Sequence, residues 1–522
     1  MEQSPVSRQG GRLGAVVVAA VFVVSRLALA QAGMTFDTRP IHDSFALADP
    51  ALLRDELFAT LANLHVQPPL FNLVVGLGLR LGPGADRLVF HLAFLVLGLV
   101  LALGVYSALV RVGAGVTSAT IATVALVLSP SVFLYEHWFH YDYPVAVLLC
   151  VALVVLQRYA EHRRPLDAGL FLALLAAVAL TRSMFHLGWL VAWAVVLVVG
   201  TRRDPAVARW RVAAAAVVAV TTVAGAYVNT LRVSGQFTSS TTLGISLAKI
   251  TTFQLDEEAR RQLVAEGELS PLALVPPASP LPLYGDLVRP HPPTGLAVLD
   301  EPAKGGAEAA EPFQSNFNNL DYVELSDRYL ADAVTTVQRH PEAYLRGVVT
   351  AVATFFQPPS GFFGVVDNRR TVAAVDRAYN VALLDLSAPG GQPVAQAPAS
   401  ANRFAPPPAG PAWLVVVAYA LALVGGGVWT AALVRRRQPV LVVAFLWSTI
   451  AYVFAVGNLL EVGENNRFRL YSDPLLLVLV VAGLLAWRRR RSPGPASTEA
   501  GICHAAAVPV TADRRCPVCP GR

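Results

Sequence analysis

The feature that most constrains the fold is a succession of apolar runs, each about as long as a bilayer is thick. The hydrocarbon core of a bilayer measures about 30 Å, and an α-helix needs roughly 20 apolar residues to cross it. Ten such runs cover residues 13–30, 88–110, 116–134, 141–156, 166–180, 185–200, 212–231, 412–434, 440–460 and 470–487. With 55% hydrophobic and 15% charged residues, the chain is too apolar for a water-soluble globule. We therefore predict an all-α polytopic membrane protein with about ten transmembrane helices.

The arginines orient these helices, because the loops of a membrane protein that carry an excess of Lys and Arg face the cytoplasm. When the N-terminus is placed inside, every strong cluster falls on the inner side. These clusters are Arg8 and Arg12, then Arg111, then Arg158, Arg163 and Arg164, then Arg202, Arg203, Arg209 and Arg211, then Arg435 to Arg437, and finally Arg488 to Arg491. The sequence thus predicts a multi-pass protein of the plasma membrane with both termini in the cytoplasm.

An eleventh apolar run, residues 68–81, begins with two prolines and is too short to cross. Counting it as a span would move the clusters around Arg163 and Arg203 to the outer side. We predict instead a helix that lies at the interface within the first outer loop, residues 32–87. The chain then divides into a first transmembrane module (residues 1–231), an outer region (232–411), three last spans (412–487) and a disordered cytoplasmic tail (488–522).

The outer region is predicted to alternate between short helices and loops. Asp256 and Gly267 suit the N-cap and the stop of one helix, and two further helices follow, the second of which starts at Pro341. The apolar spacing of this second helix suits packing against the membrane surface or the span bundle. Residues 272–302 and 389–411 are dense in proline, so we predict loops there.

The net charge of +6 does not predict nucleic-acid binding, because the arginines lie where topology and anionic lipids require them.

The first run ends in Ala28-Leu29-Ala30, which resembles a signal-peptidase site. Arg26 interrupts the approach to that site, so we predict a retained helix. The C-terminal tail contains three cysteines and a histidine that match zinc-ligand spacing only in part, namely Cys503, His504, Cys516 and Cys519. Because the match is partial, we predict no metal site there.

The first outer loop concentrates polar residues beside the membrane. Three aspartates, Asp37, Asp43 and Asp49, are spaced by six residues, so they cannot all share one helical face. They are either solvated loop charges or part of a site. Three further polar residues flank the paired prolines, where they either bind a substrate or cap the interfacial helix. These are His65, Gln67 and Asn72.

Other outer loops add charges that the positive-inside rule does not explain. The second outer loop places Glu136, His137 and Asp142 among aromatic residues, and an aromatic belt accounts for the rings but not for the carboxylates. Two later loops carry Arg182 with His186, and Glu464 and Asn465 with Arg467 and Arg469. Outer arginines need an anionic partner, which is either a nearby carboxylate such as Glu464 or Asp473, or a phosphate.

Carboxylates and arginines on one face suit a particular reaction. A carboxylate can take the proton of an acceptor hydroxyl as its oxygen attacks the anomeric carbon of a sugar, while cations stabilise a departing lipid phosphate. We therefore predict transfer of a sugar from a polyprenyl-phosphate donor to a glycan, lipid or protein acceptor. The chain contains no nucleotide-binding motif, in agreement with a lipid-linked donor.

The motifs of residues 1–231 resemble the C-type glycosyltransferase superfamily (GT-C), which includes the protein O-mannosyltransferases and the lipid A aminoarabinose transferases. The matching features are an acidic first outer loop, the sequence His65-Val66-Gln67-Pro68-Pro69-Leu70, and Ser129-Pro130 followed by Asp142-Tyr143-Pro144. Seven spans before a large outer region also resemble the shared module of the family. The likeness is loose beyond residue 231.

The resemblance implies roles for the outer polar residues. One first-loop aspartate would be the catalytic base, with Glu136 or Asp142 as a secondary acid. Arg182, Arg467 and Arg469 would bind phosphate, and the remaining outer polar residues would contact substrate. The resemblance is compatible with a divalent metal ion but does not require one.

Relatives commonly carry adjacent acids in the first loop, whereas each aspartate stands alone here, so the choice of base stays open. Distance to the prolines favours Asp37, and a helix-like run from residue 44 favours Asp43 or Asp49. Two other classes of protein stay open as well. A transporter or flippase of a lipid-linked saccharide would also use outer arginines, and an assembly protein would leave the acids unexplained.

Overall fold

A computed structural model describes residues 5–82, 84–201, 208–306, 315–383 and 411–491. Within these ranges the regular structure is helical, and β-pairing is limited to two isolated bridges. The first half contains α1 (Pro5–Gln31), α2 (Pro40–Asp43), α3 (Pro50–Asp55), α4 (Leu57–Ala62), α5 (Pro69–Leu79), α6 (Ala85–Arg111), α7 (Val116–Val127), α8 (Pro130–Glu136), α9 (Asp142–His162), α10 (Pro165–Thr181), α11 (Leu187–Gly200) and α12 (Arg209–Ser234).

The second half contains α13 (Leu243–Ile250), α14 (Glu257–Ala265), α15 (Ala297–Asp300), α16 (Asp321–Arg339), α17 (Pro341–Phe355), α18 (Val366–Arg369), α19 (Ala373–Ala382), α20 (Trp413–Ala420), α21 (Gly426–Arg435), α22 (Leu441–Leu460) and α23 (Asn465–Arg491). A short π-helical turn, Leu421–Gly425, joins α20 to α21 into one continuous helix, Trp413–Arg435.

Within the described ranges, seven helices are long and apolar enough to cross a membrane, which makes the chain a multi-pass membrane protein. They are Gly10–Gln31, Ala85–Arg111, Asp142–His162, Arg209–Ser234, Trp413–Arg435, Leu441–Leu460 and Asn465–Arg490. The predicted all-α membrane class is confirmed, whereas the predicted count of ten is not. The other three predicted spans correspond to α7 and α8, which form a pair bent by 57°, and to α10 and α11, which have 17 and 14 residues.

The helices alternate in direction, so that the bundle has two distinct ends. At the upper end α1, α10, α12 and α22 finish, while α6, α9, α11 and α23 begin. Contacts across this end include Arg26 with Glu136 and Arg467 with Asp142. At the lower end Arg111 pairs with Glu161, and Gly113 lies against the guanidinium of Arg489.

The arginine clusters that the topology prediction used lie at the lower end wherever the structure describes them. Arg111 ends α6, Arg163 and Arg164 separate α9 from α10, and Arg435 ends α21. Arg202 and Arg203 lie outside the described residues. The shared position follows from the alternation of the helices, because each cluster occupies a connection at the same end.

The first loop folds back over the upper end of the bundle. Phe139 is fully buried, and the rings of Phe36, Phe71, Phe90 and Phe94 surround it at centroid distances of 4.3 to 6.1 Å. Since Phe36 and Phe71 belong to the first loop, this aromatic cluster fixes the loop to the spans. Aromatic pairs at such distances add to the stability gained from burial.

Helices of the outer region pack on each other and on the bundle. Gly244 of α13 lies so close to α16 that a Cβ atom would come within 1.7 Å of the Ser326 carbonyl oxygen. The Tyr344 hydroxyl of α17 donates to the Leu459 carbonyl at 3.1 Å, and Phe355 contacts Phe454 at 5.2 Å. Of the two predicted settings for the helix that starts at Pro341, the membrane surface or the span bundle, these contacts show packing on the span bundle.

The predicted capped helix is also present. Asp256 accepts a hydrogen bond from the Ala259 backbone N–H at 2.8 Å, as an N-cap residue does. Gly267 follows the helix with φ of +73°, a conformation that glycine adopts without strain. Most of the predicted loop over 389–411 lies outside the described residues.

Candidate functional site

A buried polar cluster lies at the upper end, where α9 and α23 begin. We call it the Asp142 cluster, and its members are His140, Tyr141, Asp142, Arg182, Glu464, Arg467 and Tyr471. The Asp142 carboxylate is fully buried and accepts from three groups: His140 Nδ1 at 3.0 Å, Arg467 Nη1 at 3.4 Å and the Tyr471 hydroxyl. Burial of an unpaired carboxylate is costly, so these three donors explain how Asp142 is tolerated there.

Burial and neighbouring charges act in opposite directions on the pKa values of the acids and bases in the cluster. Burial lowers the pKa of His140, and Asp142 raises it only in part, so the imidazole is neutral near pH 7 and its Nδ1–H donates to the carboxylate. Burial opposes ionisation of Glu464, yet Arg467 beside it, at 2.6 Å, holds the pKa of that carboxyl below its usual value. The cluster therefore holds two carboxylates beside two guanidinium groups.

The two arginines retain unused hydrogen-bonding capacity. Arg182 donates to the Tyr141 hydroxyl and lies over that ring, and no carboxylate of the described ranges forms an ion pair with it. Arg467 is sandwiched between Phe362 and Phe468, both 5.3 Å from its guanidinium carbon. The Nε atoms of Arg182 and Arg467 are buried without a partner. An anionic oxygen is the acceptor that such N–H groups favour most.

A segment of the outer region covers the cluster. The Trp138 ring stacks on His140 at 4.2 Å, and Phe362 packs on the edge of Trp138 at 5.5 Å. The Tyr135 hydroxyl donates to the Pro359 carbonyl at 3.3 Å, which holds this covering segment in place. Residues 359–365, which form this covering segment, thus lie against Tyr135, Trp138 and Arg467.

Asp37 is joined to the loop that carries the cluster. Its backbone N–H donates to the His137 carbonyl at 2.8 Å, and its carbonyl accepts from the Phe139 N–H at 2.9 Å. The Asp37 carboxylate binds the Arg39 guanidinium through two hydrogen bonds of 2.9 and 2.6 Å, and Arg39 also contacts Asp367 at 2.6 Å. The Asp37 side chain is 13% exposed, so it is partly accessible to solvent, whereas the Asp142 carboxylate is fully buried.

Asp43 and Asp49 lie at a different contact, between the first loop and the outer region. Asp49 caps α3 by accepting from the Ala51 N–H at 2.7 Å, and it also accepts from the Gly305 N–H. Asp43 is exposed at the end of α2. Lys304 is buried beside them and donates to the Ser44 carbonyl at 2.6 Å. Burial lowers its pKa to about 7, although both aspartates act in the opposite direction.

His65 and Asn72 hold the first loop in shape. His65 is buried between the Thr241 hydroxyl and the Asn318 carbonyl, each 2.8 Å from a ring nitrogen, and burial lowers its pKa to about 4. Its neutral ring satisfies both partners, since one nitrogen donates and the other accepts. The Asn72 amide bridges the backbone of Ala46 and Ala48. Gln67 lines a groove on the far side of the loop.

Glu136 is paired with a residue that the site prediction did not include. Arg26 of α1 binds it through two hydrogen bonds of 2.8 and 2.7 Å, and the Tyr143 hydroxyl donates to it at 2.9 Å. The sequence signal for this pair was Arg26 itself, because a cation inside an apolar span requires a partner. The neighbouring His137 binds the Phe133 carbonyl at 2.9 Å, and burial lowers its pKa to about 4.

The remaining predicted residues lie apart from the cluster. Arg469 follows Arg467 by two positions and therefore points to a different side of α23. There it binds Asp473 at 3.1 Å and the Gln357 carbonyl at 3.0 Å. Asn465 ties α23 to the end of α22 through the Gly457 carbonyl at 2.8 Å. His186 is exposed just before α11.

Over the described ranges, no group of three or more His, Cys, Asp or Glu residues is arranged to hold a metal ion. The Cys503 to Cys519 set lies outside those ranges. Comparison of the chain with protein-family models, curated proteins and solved structures finds no significant match. The function is therefore inferred from the sequence and the site alone.

Proposed function

We propose that the protein is an integral-membrane glycosyltransferase that moves a sugar from a polyprenyl-phosphate donor to an acceptor hydroxyl on the extracytoplasmic side. One observation carries the proposal. The backbone of Asp37, a residue with a partly exposed carboxylate, is joined by two hydrogen bonds to the loop that leads into the Asp142 cluster. There, two guanidinium groups hold buried N–H donors without partners. The proposed base thus belongs to a segment that is hydrogen-bonded to the loop leading into the proposed anion site.

In this proposal Asp37 takes the proton of the acceptor hydroxyl. The acceptor oxygen forms a bond to the anomeric carbon as the bond from that carbon to the phosphate oxygen breaks. Arg182 and Arg467 bind the phosphate and stabilise the charge that it gains as polyprenyl phosphate leaves. Asp142 and Glu464 position Arg467 and do not react. The covering segment that includes Phe362 shifts to admit the phosphate.

We also propose the finer topology. The bent pair α7 and α8 would form one span, and α10 and α11 would be two short spans of about 26 and 21 Å, at 1.5 Å per residue. With the seven long helices, these make ten. The upper end would be extracytoplasmic, supported by the arginines at the lower end, and α5 would lie at the interface, with Val74 and Leu77 exposed to lipid.

The test uses purified full-length protein in detergent with a panel of polyprenyl-phosphate sugars and acceptor glycans, lipids and peptides. The expected result is release of free polyprenyl phosphate together with a glycosylated product. Detergent leaves no second compartment, so a transporter would release nothing. Absence of release with every donor would overturn the enzyme proposal in favour of transport.

A further inference from the structure

A groove of about 310 Å³ lies at the upper end of the bundle, and none of its lining residues belongs to the Asp142 cluster. The first loop forms one wall with Leu64, Gln67 and Pro68, and α12 forms the other with Val223 and Ala226. The end of α10 closes the bottom. Most of these side chains are apolar, so the groove presents a hydrocarbon-like surface to the surrounding membrane.

Gln67 gives the groove a polar group that lacks a partner. The residue is 7% exposed, and its Oε1 atom is buried without a hydrogen bond. The polar neighbours in the lining are already paired, since the Tyr227 hydroxyl accepts from the Leu187 N–H and the Ser239 hydroxyl donates to the Ser183 carbonyl. A buried acceptor without a partner costs about 1 to 3 kcal/mol. Gln67 therefore calls for a ligand that donates a hydrogen bond.

An arginine stands at the rim of the groove. Arg232 is exposed near the end of α12, and its Nη2 atom contacts the Ala62 carbonyl, the Asn63 amide oxygen and the Asn229 amide oxygen. Ala62 and Asn229 themselves line the groove. The contacts hold one nitrogen of the guanidinium against the rim, so a positive charge marks the edge of the groove at the upper end of α12.

The depth of the groove matches one leaflet. Thr222 is the lining residue of α12 farthest from Arg232, and ten residues of helix separate them, or about 15 Å. A leaflet contributes about half of the 30 Å hydrocarbon core. One acyl chain fills such a groove, whereas a long polyprenyl chain would extend far beyond it.

We propose that this groove binds one molecule of a membrane glycerophospholipid. One acyl chain lies between the first loop and α12, the phosphate binds Arg232, and a hydroxyl of the headgroup donates to Gln67 Oε1. Phosphatidylglycerol has each of these features. The bound lipid would brace the first loop against α12, and it is distinct from the sugar donor of the proposed reaction.

The test is native mass spectrometry of the full chain after reconstitution with dioleoylphosphatidylglycerol and extraction into detergent, without sugar donor or acceptor. We expect one lipid per protein in the wild type. Ala226→Leu, which fills the groove, and Gln67→Leu, which removes its acceptor, should each lower occupancy about tenfold. Ala213→Leu is the matched control, because Ala213 lines a second groove on α12 that has no unpartnered polar atom of this kind.

Equal occupancy in wild type and all three variants, or no retained lipid in the wild type, would overturn the proposal. So would displacement of phosphatidylglycerol by an equimolar amount of polyprenyl phosphate, which would assign the groove to the donor. Since the measurement involves no sugar transfer, its failure leaves the enzyme proposal untouched, and failure of the transfer assay leaves the lipid site untouched.

Discussion

At the scale of single residues, Asp37 is the first-loop acid whose backbone is hydrogen-bonded to the loop that leads into the Asp142 cluster. Asp37→Asn removes its basicity but keeps an oxygen that can accept from Arg39. We therefore predict that this change lowers the rate of sugar transfer by about 100-fold or more, the contribution of a general base. The measurement is the initial rate of polyprenyl phosphate release.

Asp55 provides the matched control for that substitution. It lies in the same loop and pairs with an adjacent arginine, Arg54, at 3.0 Å, as Asp37 pairs with Arg39. Asp55→Asn should leave the rate within about twofold of wild type, because an exposed ion pair contributes little. Equal rates in Asp37→Asn and wild type would remove Asp37 from the mechanism.

The buried side chain of His65 should make the free energy of unfolding depend on pH. Its pKa is about 4 in the folded protein and about 6.5 when unfolded. Between these values the unfolded chain binds more protons, so stability is fully present above pH 6.5 and is lost as pH falls toward 4. The size of this loss is about 3 kcal/mol.

The check for His65 is the thermal unfolding midpoint at pH 7 and pH 4.5, in wild type and in His65→Gln. Glutamine can still accept from Thr241 and donate to Asn318, but it does not titrate. The variant should therefore lose less stability on acidification than wild type. Parallel losses in the two proteins would show that other histidines cause the effect.

These residues show what the sequence could predict about the site. Their polar character and predicted outer position placed Asp142, Arg182 and Arg467 among a larger set of candidate residues, and the fold brings these three together from separate loops. The partner of Glu136 was not predicted, because Arg26 lies 110 positions away in the chain, and nothing local distinguishes a paired carboxylate from a free one.

At the scale of helices, the Arg26 and Glu136 pair joins α1 to the end of α8. Arg26→Met would leave Glu136 buried without its partner, which costs about 3 to 5 kcal/mol in comparable pairs. We predict a marked fall in the unfolding midpoint in detergent for this variant. The double variant Arg26→Met with Glu136→Leu should recover part of the loss, because it removes the stranded charge.

The double variant also defines the outcome that would contradict this account. If its loss equals the sum of the two single losses, the residues act independently and do not form a stabilising pair. The loss of folded protein after heating to matched temperatures would be measured by size exclusion for Arg26→Met, Glu136→Leu and the double variant. The same series then shows whether α1 and α8 are held together by this contact.

Helices with their own signals were predictable, and those set by tertiary contacts were not. The helix capped by Asp256 and the helix that starts at Pro341 have local start residues and apolar periodicity. The short helix α18 has four residues and directly follows the segment that covers the cluster. Its position depends on contacts such as that of Asn368 with the Thr35 backbone, more than 300 positions away in the chain, and no local pattern encodes them.

At the scale of the whole molecule, the alternation of the helices and the distribution of charge both distinguish an upper end of the bundle from a lower end. Connections at the lower end carry the arginine clusters, while the upper end carries the first loop, the outer region and the Asp142 cluster. The number of spans could not be read from hydropathy alone, because α10 and α11 are apolar but short. Packing against longer neighbours is what places such helices in a bundle.

The proposed orientation predicts a labelling pattern in intact cells. In a background in which Ser replaces the four cysteines, Asp43→Cys and Glu324→Cys introduce exposed thiols at the upper end, and His162→Cys and Gln438→Cys introduce them at the lower end. A membrane-impermeant maleimide should label the first pair in intact spheroplasts and the second pair only after permeabilisation. Labelling of the lower pair in intact cells would invert the topology and place the Asp142 cluster on the cytoplasmic side, where an extracytoplasmic acceptor could not reach it.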